Sequence, residues 1–243
     1  MIYPNWPAPN NIKAMTTTRH EGGTSLAPFD SLNLADHVGD TPHAVAVNRQ
    51  QLIKLAQIPE SPRWLIQVHG TKIINSVDWQ FNTEADASFS TTENHVCCVL
   101  TADCLPILVC NRQGTIVAAI HAGWCSLLDG IIEETLTQFN DAPDDVLIWL
   151  GPAIGPTQFE VGLDVYNAFV AHSASAENAF QQQDAEHYLA DIYQLARQRL
   201  NTLKISNIYG GEHCTVSDEQ HFFSYRRDSM TGRMASMIWI DAK

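Results

Sequence analysis

Between residues 63 and 121 the chain alternates short apolar segments with tight turns, and this alternation constrains the fold more than any other feature. Most of the apolar segments are rich in valine, isoleucine and leucine, which is typical of buried strands. They predict strands near residues 63–69, 72–78, 85–90, 95–103, 106–111 and 115–121. Because short turns join most of these strands, we expect neighbouring strands to be antiparallel or to form a mixed sheet.

Helical patterns flank this strand-rich region. An apolar stripe that includes Leu128, Ile132 and Leu136 predicts a helix over residues 126–139. Further helices are predicted at 45–56, 163–172 and 187–203, and further strands at 12–20, 145–150 and 233–240. Together these elements predict an α+β fold, in which a single domain over residues 1–243 has a mixed β-sandwich core flanked by helices.

The composition excludes several classes of protein. The chain has 243 residues, of which 45% are hydrophobic and 17% charged, so it can bury a substantial core. Its formal net charge of -13 argues against nucleic acid as a partner, because phosphate contacts need clustered lysine and arginine. The N-terminus lacks a signal-peptide pattern and no apolar run is long enough to span a bilayer, so we expect no membrane partner and a cytoplasmic location.

Three chemically versatile side chains stand at or just beyond the ends of predicted strands: His69, Cys104 and His121. Strand ends that meet at one edge of a sheet can bring distant side chains together beside a cleft. Two histidines and a cysteine are a ligand set that zinc accepts, and catalytic zinc sites use three protein ligands and one open position. The long spacing between the three residues fits ligands drawn from different strands.

The same residues suit a second chemistry, and the sequence leaves both open. A thiolate at Cys104 can act as a nucleophile if His121 accepts its proton while Asp103 or a backbone carbonyl orients the imidazole. His69 favours the metal interpretation, because a Cys/His pair has no obvious use for a second histidine. Most of the other cysteines are expected to be reduced, buried thiols: Cys97, Cys98, Cys110, Cys125 and Cys214.

Arginines mark two candidate anion sites. Arg226 lies in the aromatic-rich run 222–228, and Arg19 lies between three threonines and two glycines. A guanidinium group is well suited to hold a phosphate or a carboxylate. Either side chain can instead remain at the surface or form an ion pair, so the pattern alone does not assign them.

An ordered series of short motifs extends from residue 16 towards the C-terminus. The motifs are TTTR (16–19) with GG (22–23), SLNL (31–34) with HVGD (37–40), QVHG (67–70), TADCLP (101–106), HAGW (121–124), GPAIGP (151–156) with FEVG (159–162), and FFSYRRD (222–228) with TGRMA (231–235). In this order they resemble the laccase-domain family, also called the multicopper polyphenol oxidoreductase or purine nucleoside phosphorylase family. Each motif is weak alone, but the ordered set is specific.

The resemblance implies an α+β fold with a β-sandwich core and a zinc site built by His69, Cys104 and His121. It implies phosphorolysis of purine nucleosides, with adenosine deamination and methylthioadenosine cleavage as companion reactions. The expected partners are therefore purine nucleosides and phosphate. The candidate catalytic residues are Cys104, His121 and Asp103, and the candidate substrate-binding residues are Arg19, Asn33 and Arg226.

Other activities stay open within this resemblance. A bacterial toxin deamidase with a Cys/His pair has a similar fold, which keeps an amidohydrolase in view, and some bacterial members are linked to editing of peptidoglycan precursors. A copper-dependent polyphenol oxidase is a further alternative. Copper is the less favoured metal, because blue copper usually adds an axial methionine and a trinuclear cluster needs many more histidines.

The chain departs from the family pattern directly after HAGW. The motif usually continues with Arg-Gly, whereas this chain has Cys125 and Ser126. A positive charge near the expected site is therefore missing. If that charge holds phosphate in relatives, phosphorolysis by this chain requires another cation, and Arg226 is the candidate.

Overall fold

The structure, a computed structural model, describes residues 1–242, and most of their strands lie in two packed sheets. The strands are β1 (Ile12–Thr16), β2 (Ile73–Asn75), β3 (Ala87–Ser90), β4 (Cys97–Thr101), β5 (Leu105–Asn111), β6 (Val117–Ala122), β7 (Val146–Leu150), β8 (Glu160–Gly162), β9 (Phe180–Gln182), β10 (His187–Ala190), β11 (Ile208–Gly210) and β12 (Met234–Ile240). The α-helices are α1 (Pro42–Leu55), α2 (Trp124–Leu128), α3 (Ile131–Leu136), α4 (Leu163–His172), α5 (Ile192–Thr202) and α6 (Tyr225–Asp228).

The largest sheet has the strand order β11-β7-β5-β6-β3-β2. Its central strands β7, β5, β6 and β3 pair antiparallel, as the short turns predict, while β11 and β2 at the two edges run parallel to their neighbours. Every residue of β5, β6 and β7 is buried, because both faces of the sheet are covered. This double burial explains why these strands are continuously apolar instead of alternating.

A second, antiparallel sheet of order β1-β12-β4 packs on one face of the first. Val99 and Ile238 from this sheet meet Leu108 and Val117 from the larger one in the layer between them. Helix α1 packs on the outer side of the smaller sheet through Leu52, and helices α3 and α5 pack on the far face of the larger sheet. The predicted α+β fold with a β-sandwich core flanked by helices is confirmed.

The helix predicted over residues 126–139 is interrupted. Helix α2 ends at Leu128 and α3 begins at Ile131, and between them Gly130 has a φ of 95°. A left-handed residue cannot continue a right-handed helix, so the chain changes direction there. The apolar stripe persists across the break, because Leu127 and Ile132 both remain buried.

Two other sequence predictions are corrected. The helix predicted over 187–203 begins only at Ile192, and residues 187–190 form strand β10 of a small third sheet of order β8-β10-β9. The strand predicted over 63–69 is an irregular segment that makes only single bridges to its neighbours. Within residues 1–242, no helix has the length and apolar character needed to cross a membrane.

Candidate metal centre

Antiparallel pairing of β5 with β6 brings Cys104 close to His121. Leu105 pairs with Ala122 and Pro106 with His121, so the residue directly before β5 lies beside the end of β6. His121 is buried within β6, whereas Cys104 is half-buried in the turn that joins β4 to β5. A core strand therefore fixes one ligand, and a tight turn presents the other.

His69 reaches the same place from the irregular segment before β2, where its backbone has a φ of 60°. Its Nε2 atom lies 3.8 Å from the Sγ atom of Cys104, and its ring packs edge-on against His121 with the centroids 4.7 Å apart. One ligand atom from each of the three side chains lies within 4.8 Å of the others. The structure thus brings together the three side chains that the sequence analysis selected as metal ligands.

The spacing of this cluster is compatible with one shared ion. Zinc binds histidine nitrogen at about 2.0–2.1 Å and cysteine sulfur at about 2.3 Å, so ligand atoms around one ion stand roughly 3.3–3.8 Å apart. Side-chain adjustments of less than about an ångström would close the cluster to that spacing. Among residues 1–242 this is the one group of at least three His, Cys, Asp or Glu side chains spaced to share an ion. The His-Cys-His cluster can therefore hold a metal.

Asp86 holds two parts of the cluster in place, and sequence reasoning missed it. Its fully buried carboxylate lies 2.8 Å from Nδ1 of His121. The same carboxylate accepts the backbone N–H groups of Val68, His69 and Gly70. It therefore leaves Nε2 of His121 free to face the cluster and fixes the backbone that carries His69, a common arrangement around metal-binding histidines. The available sequence signal was an acid between two alanines within a predicted strand.

The local electrostatics favour ionised forms within the cluster. Burial raises the pKa of Cys104, but hydrogen bonds with His121 and His69 outweigh it and lower that pKa to about 6. Burial lowers the pKa of His121, but Asp86 and Cys104 outweigh it and raise that pKa to about 9. Burial also raises the pKa of Asp86, and its hydrogen bonds to His121 and Gly70 produce a net lowering. A thiolate is the form of cysteine that binds metals and acts as a nucleophile.

Gly123 allows the chain to pass directly against the cluster. A Cβ atom at this position would lie 2.7 Å from Cδ2 of His69 and 3.4 Å from Sγ of Cys104. The first distance is far below ordinary van der Waals contact. The glycine in the HAGW motif is therefore a packing requirement of the His-Cys-His cluster.

Two pockets open onto the cluster, and each contains an arginine. The Arg233 pocket has a volume of about 250 Å³ and is lined by His37, Gln67, His69, Leu100, Thr101, Ala102, Cys104, His121, Tyr225 and Arg233. The Arg226 pocket has a volume of about 240 Å³ and is lined by His69, Ala102, Asp103, Cys104, Trp124, Ile154, Phe159, Ile192, Tyr225 and Arg226. A substrate can therefore approach the cluster beside either cation.

The two guanidinium groups each donate two hydrogen bonds to backbone carbonyls but differ in how many of their nitrogens these bonds use. The guanidinium of Arg226 donates to two backbone carbonyls of the segment 158–160, at 3.3 and 3.0 Å. Arg233 donates through Nη1 alone, to the carbonyls of Thr231 and Gly232 at 2.9 Å each. Within residues 1–242 its Nε and Nη2 atoms make no hydrogen bond. Within the described residues, Arg233 thus keeps two guanidinium nitrogens without a hydrogen-bond partner and Arg226 keeps one, a difference that the sequence did not indicate.

Asp103, a predicted catalytic residue, lines the Arg226 pocket but has its carboxylate engaged elsewhere. It accepts hydrogen bonds from the hydroxyls of Thr215 and Ser224, at 2.5 and 3.0 Å, and from the backbone N–H of Arg226 at 2.7 Å. These three hydrogen bonds connect the turn between β4 and β5 to the C-terminal segment. Its catalytic role stays a prediction.

Arg19 and Asn33, predicted to bind substrate, line neither pocket. The guanidinium of Arg19 lies 3.5 Å from the carboxylate of Asp30 and over the ring of Phe223. Asn33 is fully buried, and its side-chain oxygen accepts the backbone N–H of Arg233 at 3.0 Å. Asn33 therefore positions the residue that lines the pocket, and the binding roles of both residues stay predictions.

Cys125 follows the cluster on the first turn of α2 and is half-buried. Burial and the nearby acid Asp129 raise the pKa of its thiol, and the Cys104 thiol adds to this effect. The group of ligand atoms close enough to share an ion does not include it. The position therefore supplies neither a ligand to this group nor the positive charge of the family pattern.

The chain is similar to known proteins both in sequence and in structure. The family model described as "Multi-copper polyphenol oxidoreductase laccase" matches residues 13–241. The chain is 52% identical over 241 residues to the purine nucleoside phosphorylase YfiH of Escherichia coli, covering 99% of this chain and 98% of that one. It is 51% identical over 242 residues to the purine nucleoside phosphorylase of Haemophilus influenzae, covering 99% of both chains.

Solved structures share the same architecture. The crystal structure of the Neisseria meningitidis protein NMB0706 superposes with a TM-score of 0.95 at 44% identity, covering 99% of each chain. That of YlmD from Geobacillus stearothermophilus superposes with a TM-score of 0.86 at 30% identity, covering 96% of this chain and 93% of that one.

Proposed function

Because this chain belongs to the multi-copper polyphenol oxidoreductase laccase family, we propose that it is a zinc-dependent purine nucleoside phosphorylase that also deaminates adenosine and cleaves methylthioadenosine. The observation that carries the proposal is the His69–Cys104–His121 cluster, which opens onto a pocket containing a cation with free donors. The name purine nucleoside phosphorylase, borne by relatives that match almost all of the chain, supports the phosphorylase part.

The donor set favours zinc over copper. Two imidazole nitrogens and one thiolate match a catalytic zinc site with three protein ligands, and no methionine lines either pocket beside the cluster. The multicopper chemistry in the family description needs further metal sites rich in histidine, and residues 1–242 contain this one group alone. A bound zinc ion would act as a Lewis acid and would lower the pKa of water to about 7.

Phosphorolysis needs a phosphate held beside the ribose of the nucleoside. A phosphate oxygen attacks C1′, the C1′–N9 bond breaks, and the purine leaves with the bonding electrons and takes up a proton. Arg233 is proposed to hold the phosphate, because its Nε and Nη2 donors are free and Nη1 is anchored to backbone carbonyls. Arg226 remains the candidate substrate contact in the other pocket.

Adenosine deamination is the proposed companion reaction in the same pocket. Water adds to C6 of adenine, and ammonia leaves to give inosine. Phosphorolysis of the inosine then releases its base. In both reactions Asp86 keeps His121 in one orientation, and Gly123 keeps the approach to the cluster free of side-chain atoms.

The geometry also favours a second candidate, a thiol hydrolase. Asp86, His121 and Cys104 form a carboxylate–imidazole–thiol series, and the lowered pKa of Cys104 supplies a nucleophile near neutral pH. In this mechanism the thiolate attacks an amide carbonyl, the protonated imidazole gives its proton to the leaving amine, and water releases the acyl group. His69 would then have no direct part, which makes this the weaker candidate.

The test is to assay metal-analysed protein with inosine and adenosine, with and without phosphate, and to detect free base by chromatography. We expect about one zinc per chain, as the single cluster predicts, and free base only when phosphate is present. Cys104→Ala should lose zinc and turnover together, while Cys214→Ala, which removes another half-buried thiol with a lowered pKa, should keep both. A Cys104→Ala variant with full turnover would contradict the proposal.

A further variant separates the two candidates. Aspartate is a zinc ligand but has no thiol, so Cys104→Asp should retain zinc and part of the phosphorolysis if the metal interpretation is right. If Cys104 is the nucleophile, Cys104→Asp should lose all hydrolase activity, and iodoacetamide should inactivate the wild type even in the presence of excess zinc.

A proposed cytoplasmic location agrees with the state of the cysteines. All six are free thiols, and three of them are fully or almost fully buried in the core strands: Cys97, Cys98 and Cys110. Unpaired thiols in this number are typical of a reducing compartment.

A further inference from the structure

A large apolar cleft adjoins the Arg233 pocket, and the proposed reaction does not involve the residues that line this cleft alone. This outer cleft has a volume of about 830 Å³ and lies between helix α1 and the segments 61–67 and 79–82. It shares His37, Gln67 and Leu100 with the Arg233 pocket, so the two spaces adjoin. A substituent on a ligand seated at the His-Cys-His cluster would enter the outer cleft past these shared residues.

The apolar lining of the outer cleft includes three large aromatic side chains. Trp64, Trp79 and Phe81 line it together with Ile66. Phe81 is 81% exposed and Ile66 is 43% exposed, which is unusual for large apolar side chains gathered in one concavity. Exposed apolar surface of this kind marks binding sites more often than it serves the fold.

Hydrogen bonds hold the walls of the outer cleft in place. The indole N–H of Trp79 donates to the carbonyl of Trp64 at 2.9 Å. At the boundary with the Arg233 pocket, the amide of Gln67 donates to the carbonyl of Leu100 at 2.8 Å and accepts its N–H at 2.7 Å. The cleft is therefore preformed, as small-molecule sites usually are.

The charges in the outer cleft exclude an anionic occupant. Arg49 lies 3.3 Å from the carboxylate of Asp36, donates to the carbonyl of Leu34 at 2.9 Å and stacks 4.4 Å from the ring of Trp64. Its positive charge is thus neutralised and its face is covered. A phosphate chain or a carboxylate would find no free cation in the cleft, whereas a neutral aromatic ring would find aromatic walls.

We propose that the outer cleft binds a neutral aromatic group carried by the substrate, so that the preferred substrates are aryl-substituted purine nucleosides. The inference rests on the proposed phosphorylase function, since the nucleoside itself occupies the Arg233 pocket. That pocket, at about 250 Å³, lies just below the usual range for small-molecule sites, and the outer cleft lies well within it.

The experiment compares kcat/KM for adenosine, N6-benzyladenosine and 5′-deoxy-5′-(phenylthio)adenosine. The wild type should cleave at least one arylated nucleoside about fivefold more efficiently than adenosine, and the identity of that nucleoside shows which end of the substrate faces the cleft. Phe81→Ala should lower kcat/KM for that nucleoside by about 5- to 30-fold and leave adenosine unchanged. Leu26→Ala removes a side chain that is also 81% exposed but lies outside the cleft, and it should change neither rate.

Failure of this inference differs from failure of the proposed function. If adenosine is cleaved, but neither arylated nucleoside is preferred and Phe81→Ala has no selective effect, the aromatic subsite is overturned while the phosphorylase stands. If no nucleoside is cleaved, the phosphorylase fails. Quenching of tryptophan fluorescence by N6-benzyladenosine then tests whether the outer cleft binds an aromatic group. Saturable quenching that Phe81→Ala weakens would support the aromatic site, and the absence of saturable quenching would overturn it.

Discussion

Gly123→Ala is the sharpest single change for testing the His-Cys-His cluster. The added Cβ would lie 2.7 Å from Cδ2 of His69 and 3.4 Å from both Nε2 of His69 and Sγ of Cys104. The shortest of these contacts is roughly 1 Å below the optimal carbon–carbon separation of about 3.5–4.0 Å. His69 must therefore move by about that amount, whereas metal–ligand distances tolerate only about 0.2 Å.

The backbone itself accepts alanine at this position. Gly123 has φ -63° and ψ 162°, an extended conformation open to any residue. Alanine for glycine at a compatible position stabilises a protein by about 0.4–1 kcal/mol through the unfolded state. We therefore expect the free energy of unfolding without metal to change little, while zinc affinity falls at least about 100-fold and phosphorolysis falls with it.

Competition with a chromophoric chelator measures zinc affinity, and urea unfolding of the metal-free protein measures stability. Gly70→Ala is the matched control, because it adjoins His69 but its new Cβ meets its nearest neighbours at 3.7 Å, an ordinary contact distance. A Gly123→Ala variant with wild-type zinc affinity would show that His69 is free to move or is not a ligand. Equal loss in both variants would mean that the segment 69–70, and not the 2.7 Å contact, determines affinity.

Three further changes test other parts of the structure. Asp86→Asn removes the charge that orients His121 and should lower zinc affinity by about 10- to 100-fold in chelator competition; an unchanged affinity would refute the orienting role. Arg233→Lys should raise KM for phosphate by about tenfold or more with little change in KM for inosine, whereas Arg226→Lys should leave the phosphate KM unchanged; the reverse result would move the phosphate site to the other pocket. Gly130→Ala forces a side chain into the left-handed region and should lower the free energy of unfolding by about 1–2 kcal/mol in urea titration while zinc affinity stays constant.

Local pattern was enough to predict most of the sheet. Strands β4 to β7 lie where continuous apolar runs predict them, because a strand that is buried on both faces needs apolar side chains at nearly every position.

Helix boundaries were less predictable where one residue altered the backbone. Gly130 divides a continuous apolar stripe into two helices, since periodicity records which face is buried and not whether the axis continues.

For the candidate site too, the sequence predicted some features and the tertiary structure was needed for others. The sequence alone selected His69, Cys104 and His121, because polar side chains at the boundaries of apolar segments are conspicuous, and their motifs carry the family resemblance. Only the tertiary structure showed that their ligand atoms lie within 4.8 Å of one another. The role of Asp86 also became evident only in the tertiary structure, since its carboxylate contacts a histidine 35 positions away.

Sequence by itself therefore determined the fold class, the positions of the core strands β4 to β7 and the kinds of side chain available for chemistry. The tertiary structure distinguished two candidate cations, because only the folded chain shows that Arg233 also borders the cluster and which carbonyls Arg226 and Arg233 each already bind. The physical reason is the distance along the chain over which each kind of contact acts. Apolar periodicity follows from contacts along one segment, whereas hydrogen-bond saturation and pocket shape arise only when distant segments pack together.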